Sequence, residues 1–193
     1  VENAKLKAIA ESNTDTAVDV FVYDTRKDSD GGAWRKRTQH TSWYNETLNT
    51  STRGARKEFP SVAVIVLESN ETTIYDGDDP DMPMWMTFVN AGGNSGVMVG
   101  ELSNKCVTML NGTIAVGSAP YDLYVTNFIK DKGYQYSNNV AISGTYKGDI
   151  STRNVTTMGW IFGTVPNIVG RTIYDVAMTV LPNAPIDADT GLP

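Results

Sequence analysis

Apolar and polar residues alternate over short runs along most of this chain, a period of two that marks strands rather than helices. In DVFVYD, Val20 and Val22 fall on one side and Phe21 and Tyr23 on the other. AWRKRT follows a Gly31-Gly32 corner, so these two stretches are predicted to pair as a hairpin. From Gln39 to Phe59 the chain is polar and rich in Thr and Asn, which predicts a long loop. SVAVIVLES is continuously apolar instead of alternating, the pattern of a strand covered on both faces. TTIYD and PMWMTFV are the next strands, separated by the acidic phrase GDDPD, and NAGGNSG (Asn90–Gly96) is a glycine-rich break. CVTMLNGTIAVGS is the clearest hairpin, two alternating runs meeting at Asn111-Gly112, a pair that accepts positive φ. DLYVTNFIKD extends that sheet, and VAISGTY, TTMGWIFG and IYDVAMTVL are further strand-like runs with looser spacing.

The runs group into two meanders, DVFVYD/AWRKRT/VAVIVL/TTIYD and CVTML/TIAVG/LYVTN/FIKD. The fold class expected is all-β, built of antiparallel four-stranded meanders that are propeller-like but incomplete, since a closed propeller takes about four blades or more. Residues 1–16 read as an N-terminal extension in which VENAKLKAIAESN forms a short helix or an arriving strand, and 17–193 as the β domain. The start at Val1 and the loop-like ending DADTGLP suggest a piece of a longer or processed polypeptide.

Charge and composition narrow the partners. A net charge of −6 and a pI near 4.7 argue against a general nucleic-acid binder. Even so, eight of the sixteen basic residues lie between Arg26 and Lys57, near Trp34, Trp43 and Tyr44. A groove for single-stranded nucleic acid has this composition, but in an acidic chain a solvated strand face and loop is the plainer reading. The longest apolar run, VAVIVL, is too short to span a bilayer, and no segment has the layout of a signal peptide. Cys106 is alone in an alternating run, which predicts an inert buried thiol, and the lack of bridges fits synthesis in a reducing cell interior.

Several phrases are long and idiosyncratic: DVFVYDTRKDSDGGAWRKRTQHTSWYNE, KEFPSVAVIVLES, TIYDGDDPDMPMWMTF, NGTIAVGS and VLPNAPIDADTGLP. They resemble a family of large virion structural proteins of marine bacteriophages, over most of the chain from about Asp19 to Pro193. The resemblance implies β-propeller (WD-repeat-like) modules inside long tail or fibre polypeptides, often beside lectin-like modules, with DTGLP continuing into further strands. It implies a virion location after synthesis in the bacterial host cytoplasm, and a non-enzymatic role in assembly and host attachment. The partners implied are other virion proteins, copies of the chain itself and host surface glycans, with no nucleic acid and no membrane span. The alternatives are a propeller-type glycan-binding receptor module or a polysaccharide depolymerase.

Candidate chemistry is sparse. Asp28, Asp30, Gly31, Gly32 and Trp34 in DSDGGAW are similar to the Asp box of sialidase-like propellers, although Trp34 comes one residue early and no Thr precedes it. There the Asp accepts backbone N–H bonds and fixes a structural turn; a calcium loop needs more oxygens than this turn offers. Asp76, Asp78, Asp79 and Asp81 repel one another unless screened, which makes them the candidate calcium or magnesium site beside the plainer reading of a solvated acidic turn. No cofactor is expected, with calcium left open at that corner and, less readily, at the Asp28 turn. His40 and Ser42 lack an orienting acid and a glycine-framed nucleophile elbow, so they read as ordinary loop residues and no catalytic residue is assigned. Distant acids such as Asp79 and Glu101 could pair for sugar hydrolysis, but no spacing specifies them. Five sequons, at Asn45, Asn49, Asn70, Asn111 and Asn154, read as a by-product of composition in a bacterially made protein. Trp85 and Trp160 sit in apolar strands and read as core, leaving Trp43 and Tyr44 in the polar loop as the residues nominated for glycan contact.

Overall fold

The computed structural model describes residues 16–89, 103–120, 122–137, 142–145, 161–162, 168, 170 and 172–193. The strands are β1 (Ala17–Asp24), β2 (Val62–Glu68), β3 (Glu71–Asp76), β4 (Met84–Val89), β5 (Asn104–Leu110), β6 (Thr113–Ser118), β7 (Leu123–Asn127), β8 (Lys132–Tyr136), β9 (Ile142–Thr145) and β10 (Ile161–Phe162). They form two antiparallel sheets, ordered β1-β2-β3-β4 and β10-β9-β8-β7-β6-β5, so each is a meander of sequential neighbours. The fold is all-β, with two short 3₁₀ helices, Thr25–Lys27 and Ala33–Arg37, as the helical content of the described residues. Among those residues no barrel or propeller closes. The expected N-terminal extension up to residue 15, the Asn90–Gly96 break, Glu101, Asn154 and Trp160 lie outside them.

Three strand assignments change. AWRKR is a 3₁₀ helix rather than the partner of DVFVYD, and β1 pairs instead with β2, from Ala17↔Glu68 to Asp24↔Val62. Gly32, at φ 81°, opens the helix, which drops Trp34 into the core and turns its basic neighbours outward. A strand whose two faces are both apolar finds far more burial beside VAVIVL than beside AWRKR. The fourth strand of the first meander is therefore MWMTFV. In the second, FIKD is a turn and KGYQY is the strand: Asn127 Oδ1 accepts the N–H groups of Ile129 and Lys130, closing the corner. IYDVAMTVL is extended but joins neither sheet among the described residues.

The Asn111-Gly112 corner forms as its residue types require, with both φ positive at 50° and 68° and Leu110↔Thr113 closing the register. Burial of β2 on both faces is also observed, every residue from Ala63 to Leu67 being buried. Ala63, Ile65 and Leu67 face the main core with Ile74, Met86 and Phe88, while Val64 and Val66 pack under Met82, Val20 and Val22. The second sheet contributes Val107, Met109, Ile114, Val116 and Tyr124 to the same main core, so one apolar interior joins the sheets. Each such aliphatic or aromatic side chain contributes on the order of 1.5–3 kcal/mol by leaving water.

One end of this core is closed by rings from the long loop. Phe59 lies 4.8 Å from Trp85 and 5.2 Å from Phe128, centroid to centroid, and Trp43 lies 5.3 Å from Trp85 and 5.6 Å from Phe128. These tilted and edge-on contacts are the favoured aromatic geometry. They anchor a polar segment that has little regular structure of its own.

Candidate functional site

The DSDGGAW stretch builds a junction between the sheets. Asp28 follows the first 3₁₀ turn and is buried against the tip of the β5–β6 hairpin. Its Oδ2 accepts the Tyr23 hydroxyl and, at 2.7 Å, the Trp34 indole N–H; its Oδ1 accepts the Asn111 N–H at 2.9 Å. The Tyr23 oxygen in turn accepts the Gly112 N–H at 3.0 Å. Two orphan amides at the tip of one sheet are thus satisfied by side chains from the other. Burial pushes the Asp28 carboxyl above the ordinary carboxylate range, against the three hydrogen bonds that hold it ionised. The Tyr23 hydroxyl is pushed up too, first by burial and then by Asp28. Asp30 accepts the Gly32 N–H at 3.0 Å and pairs with Arg37 at 2.9 Å, so it shapes the corner itself.

The acidic corner is organised around a guanidinium. Arg56 Nη1 donates to both oxygens of buried Asp76 and, at 2.7 Å, to Asp78 Oδ2. Asp78 also accepts the N–H groups of Ser61 and Val62, at 2.7 and 3.0 Å, and its carboxyl sits below the usual range although burial alone would raise it. Asp79 accepts the Asp81 N–H at 2.9 Å in a local turn. Sequence spacing offered four ligands beside the plainer reading of a solvated turn; the fold buries Asp76 and leaves Asp78, Asp79 and Asp81 exposed, with Asp76 and Asp78 both engaged by Arg56. Among the described residues no group of three or more His, Cys, Asp or Glu side chains is placed to hold a metal ion.

The basic stretch is not a groove either. Arg26 pairs with Asp24, Arg35 with Glu58 and Arg37 with Asp30. Arg53 is fully buried, 4.7 Å over the Trp85 ring and 4.0 Å from Glu46, and donates to the carbonyls of Trp85 and Lys57. With Arg56 in the acidic corner, every arginine of the stretch has an internal acidic neighbour. Arg35 and Arg56 reach acids more than a local window away, at Glu58 and Asp76, while Arg26, Arg37 and Arg53 turn to acids close by in sequence.

Trp43 corrects the glycan nomination. It is 2% exposed, with Trp85, Phe128 and Tyr44 around its ring and its indole N–H donated to the Phe128 carbonyl at 2.8 Å. A ring covered this way has no face for a sugar. Tyr44 is half-buried against the same cluster, with Lys57 Nζ 5.7 Å from its ring. His40 is exposed and forms no hydrogen bond among the described residues, while Ser42 Oγ donates to Asp131 at 2.9 Å rather than to His40. Cys106 is buried and burial pushes its thiol up, the opposite of an activated nucleophile.

Two surface features escaped the sequence reading. A cleft of about 530 Å³ opens where β1 and β5 approach, lined by Phe21, Tyr23, Asp28, Met109 and Leu110. Val176 and Met178, from a segment 173–187 that is extended up to a turn at Pro182-Asn183, also line it. That segment is a strap fixed at both ends. The Ile173 N–H donates to Ser118, Lys130 pairs with Asp187, and Arg37 donates to the Thr190 carbonyl beside buried Leu192. Between its anchors the strap exposes Tyr174 (73%), Leu181 (67%) and Ile186 (64%). The N–H groups of Asp175, Ala177, Met178, Thr179, Val180 and Leu181 meet no acceptor among the described residues. The alternation in IYDVAMTVL was the available signal, but it predicts pairing without saying with what.

Compared with known proteins, the chain matches no protein family, no curated relative and no solved structure.

Proposed function

We propose that this protein is a non-enzymatic structural component of a bacteriophage particle, of tail, fibre or capsid-associated type, and that it works by associating through its surfaces. The strap carries this reading. An extended segment whose N–H groups meet no acceptor among the described residues, and which exposes large apolar side chains, is a template for a strand from another chain. Fixed at both ends, it cannot fold back to bury itself. Pairing straps about a two-fold axis would satisfy both copies at once, which is how most soluble chains associate. The phrase VLPNAPIDADTGLP, part of the resemblance to phage virion proteins, includes the strap's C-terminal half and its anchor. The engagement of Asp28, Asp76, Asp78 and Asp131 with amides, hydroxyls and Arg56 supports a role without turnover. No helix among the described residues is long and apolar enough to cross a membrane.

Sedimentation velocity across a concentration series tests the proposal. Wild type is expected to associate reversibly, and a Tyr174→Ser, Leu181→Asp variant to sediment as a monomer with an unchanged melting temperature. A wild type that stays monomeric at the highest concentrations, indistinguishable from the variant, would overturn it.

A further inference from the structure

The outer face of the second sheet carries a groove bordered by Asn111 and by Lys130, Asp187 and Thr190 of the strap's C-terminal anchor. Residues directly opposite in antiparallel strands share a face, and the registers Ala115↔Val125↔Tyr134 and Gly117↔Leu123↔Tyr136 place both tyrosines on one side. It is the side away from Ile114, Val116 and Tyr124, which face the core. Their rings lie 6.3 Å apart and 31° from parallel, side by side along β8. Both are half-buried, and neither hydroxyl has a hydrogen-bond partner among the described residues. The rings wall a groove of about 280 Å³ whose floor is Thr113, Val125 and Asn127 and whose far side is the turn around Asp187. That volume is near the lower end of small-molecule sites, about 300–1,000 Å³.

Polar groups in the groove are already held in place. Asn127 Nδ2 donates to Thr113 Oγ1 at 2.9 Å while its Oδ1 accepts two backbone amides. Lys130 is fixed between Asp187 and Asp189, at 2.6 and 3.7 Å. A flat aromatic wall with fixed amide, hydroxyl and carboxylate groups matches one ligand class well. A pyranose offers an apolar C–H face to the rings and hydroxyls to the rim. Among the described residues that line the groove the one cation, Lys130, is neutralised by its two carboxylates, which disfavours an acidic sugar.

We propose that the Tyr134–Tyr136 groove binds neutral saccharides. This goes beyond the reading above and rests on the host attachment that the resemblance implies only for the source of the sugar; the sedimentation experiment and the one below fail independently.

The test is a titration of protein carrying ring-labelled tyrosine, followed by NMR, with cellobiose, lactose, maltotriose and chitobiose as neutral probes. Sialyllactose is the acidic probe, and a polyproline peptide represents a competing ligand of aromatic grooves. At least one neutral sugar is expected to shift the Tyr134 and Tyr136 ring signals saturably in the millimolar range. Tyr134→Ala and Tyr136→Ala should each weaken binding about ten-fold, and Tyr136→Phe, which keeps the ring, by clearly less. If an alanine variant fails to fold, the wild-type ring shifts and the Tyr136→Phe comparison still decide. Silence from every neutral sugar, a response to sialyllactose or polyproline alone, or undiminished binding in a folded double-alanine variant overturns the proposal.

Discussion

Replacing Asp28 with Asn changes one atom of the inter-sheet junction and should be among the most damaging near-isosteric substitutions in this chain. Three donors converge on the carboxylate: the Tyr23 hydroxyl, the Trp34 indole and the Asn111 amide. An amide side chain has one oxygen to offer. Placed toward Tyr23 and Trp34, it turns its NH₂ onto the Asn111 N–H, donor against donor, where the carboxylate oxygen now accepts at 2.9 Å. A buried amide left without its acceptor costs about 1–3 kcal/mol, and each surviving bond drops from charged to neutral strength, about 1 kcal/mol apiece. Relief of the buried charge, visible in the raised carboxyl of Asp28, offsets part of this. The expected net loss is about 2–4 kcal/mol, a large share of the roughly 5–15 kcal/mol that holds a typical domain together. Urea unfolding monitored by tryptophan fluorescence measures it, since Trp34 sits on the junction, and the slope with urea should stay unchanged. Tyr23→Phe in the same background should be non-additive with Asp28→Asn, by about 0.5–3 kcal/mol. A loss below about 0.5 kcal/mol, or strict additivity with Tyr23→Phe, would show that the junction does not couple the sheets.

The strap's C-terminal anchor should respond to acid. Lys130, donating to Asp187, holds that carboxyl down at about 2 against an ordinary 3.8. A depressed folded pKa favours the fold at neutral pH, and the benefit fades as pH falls from about 4 to about 2. Because the Asp187 side chain is 43% exposed, solvent screening keeps the effect below about 1 kcal/mol. The protection of the Thr190 and Leu192 amides, taken relative to their intrinsic exchange rates, should therefore fall over that window, and Asp187→Asn should show the lower protection already at neutral pH; protection unchanged from pH 4 to 2 refutes the anchor. Trp43→Ala should lower stability by about 3–5 kcal/mol, as for a large core aromatic, in thermal or urea melts, and leave any sugar binding at Tyr134 and Tyr136 untouched. A Trp43→Ala variant of wild-type stability would put that ring back on the surface.

Elements whose partners are close in sequence were readable from residues alone. The β5–β6 hairpin announces itself because Asn111-Gly112 supplies both positive φ angles between alternating runs. VAVIVL declares two covered faces by being apolar at consecutive positions. AWRKR was misread because it has the composition of an exposed strand next to a glycine corner; what decided it was Trp34 finding Asp28 and Phe59 in the core. Trp43 was misread for the complementary reason. Its neighbours in sequence are polar, and the rings that bury it come from residues as far away as Trp85 and Phe128. The tyrosine pair in KGYQY is visible as an i, i+2 pattern, but only the strand registers show that both rings share a face with the Asp187 turn.

By itself the sequence determined an all-β chain of sequential antiparallel strands, because a period of two and turn residues act over distances shorter than a hairpin. Tertiary structure alone decided which charges neutralise each other, which aromatics meet water and which extended segment joins neither sheet among the described residues. Those outcomes depend on contacts such as Arg56 with Asp76, Trp43 with Phe128 and Tyr23 with Gly112, whose partners lie in separate strands and loops of the chain. Burial and electrostatics are properties of what surrounds a side chain in space, and local sequence carries no record of that until the sheets have packed.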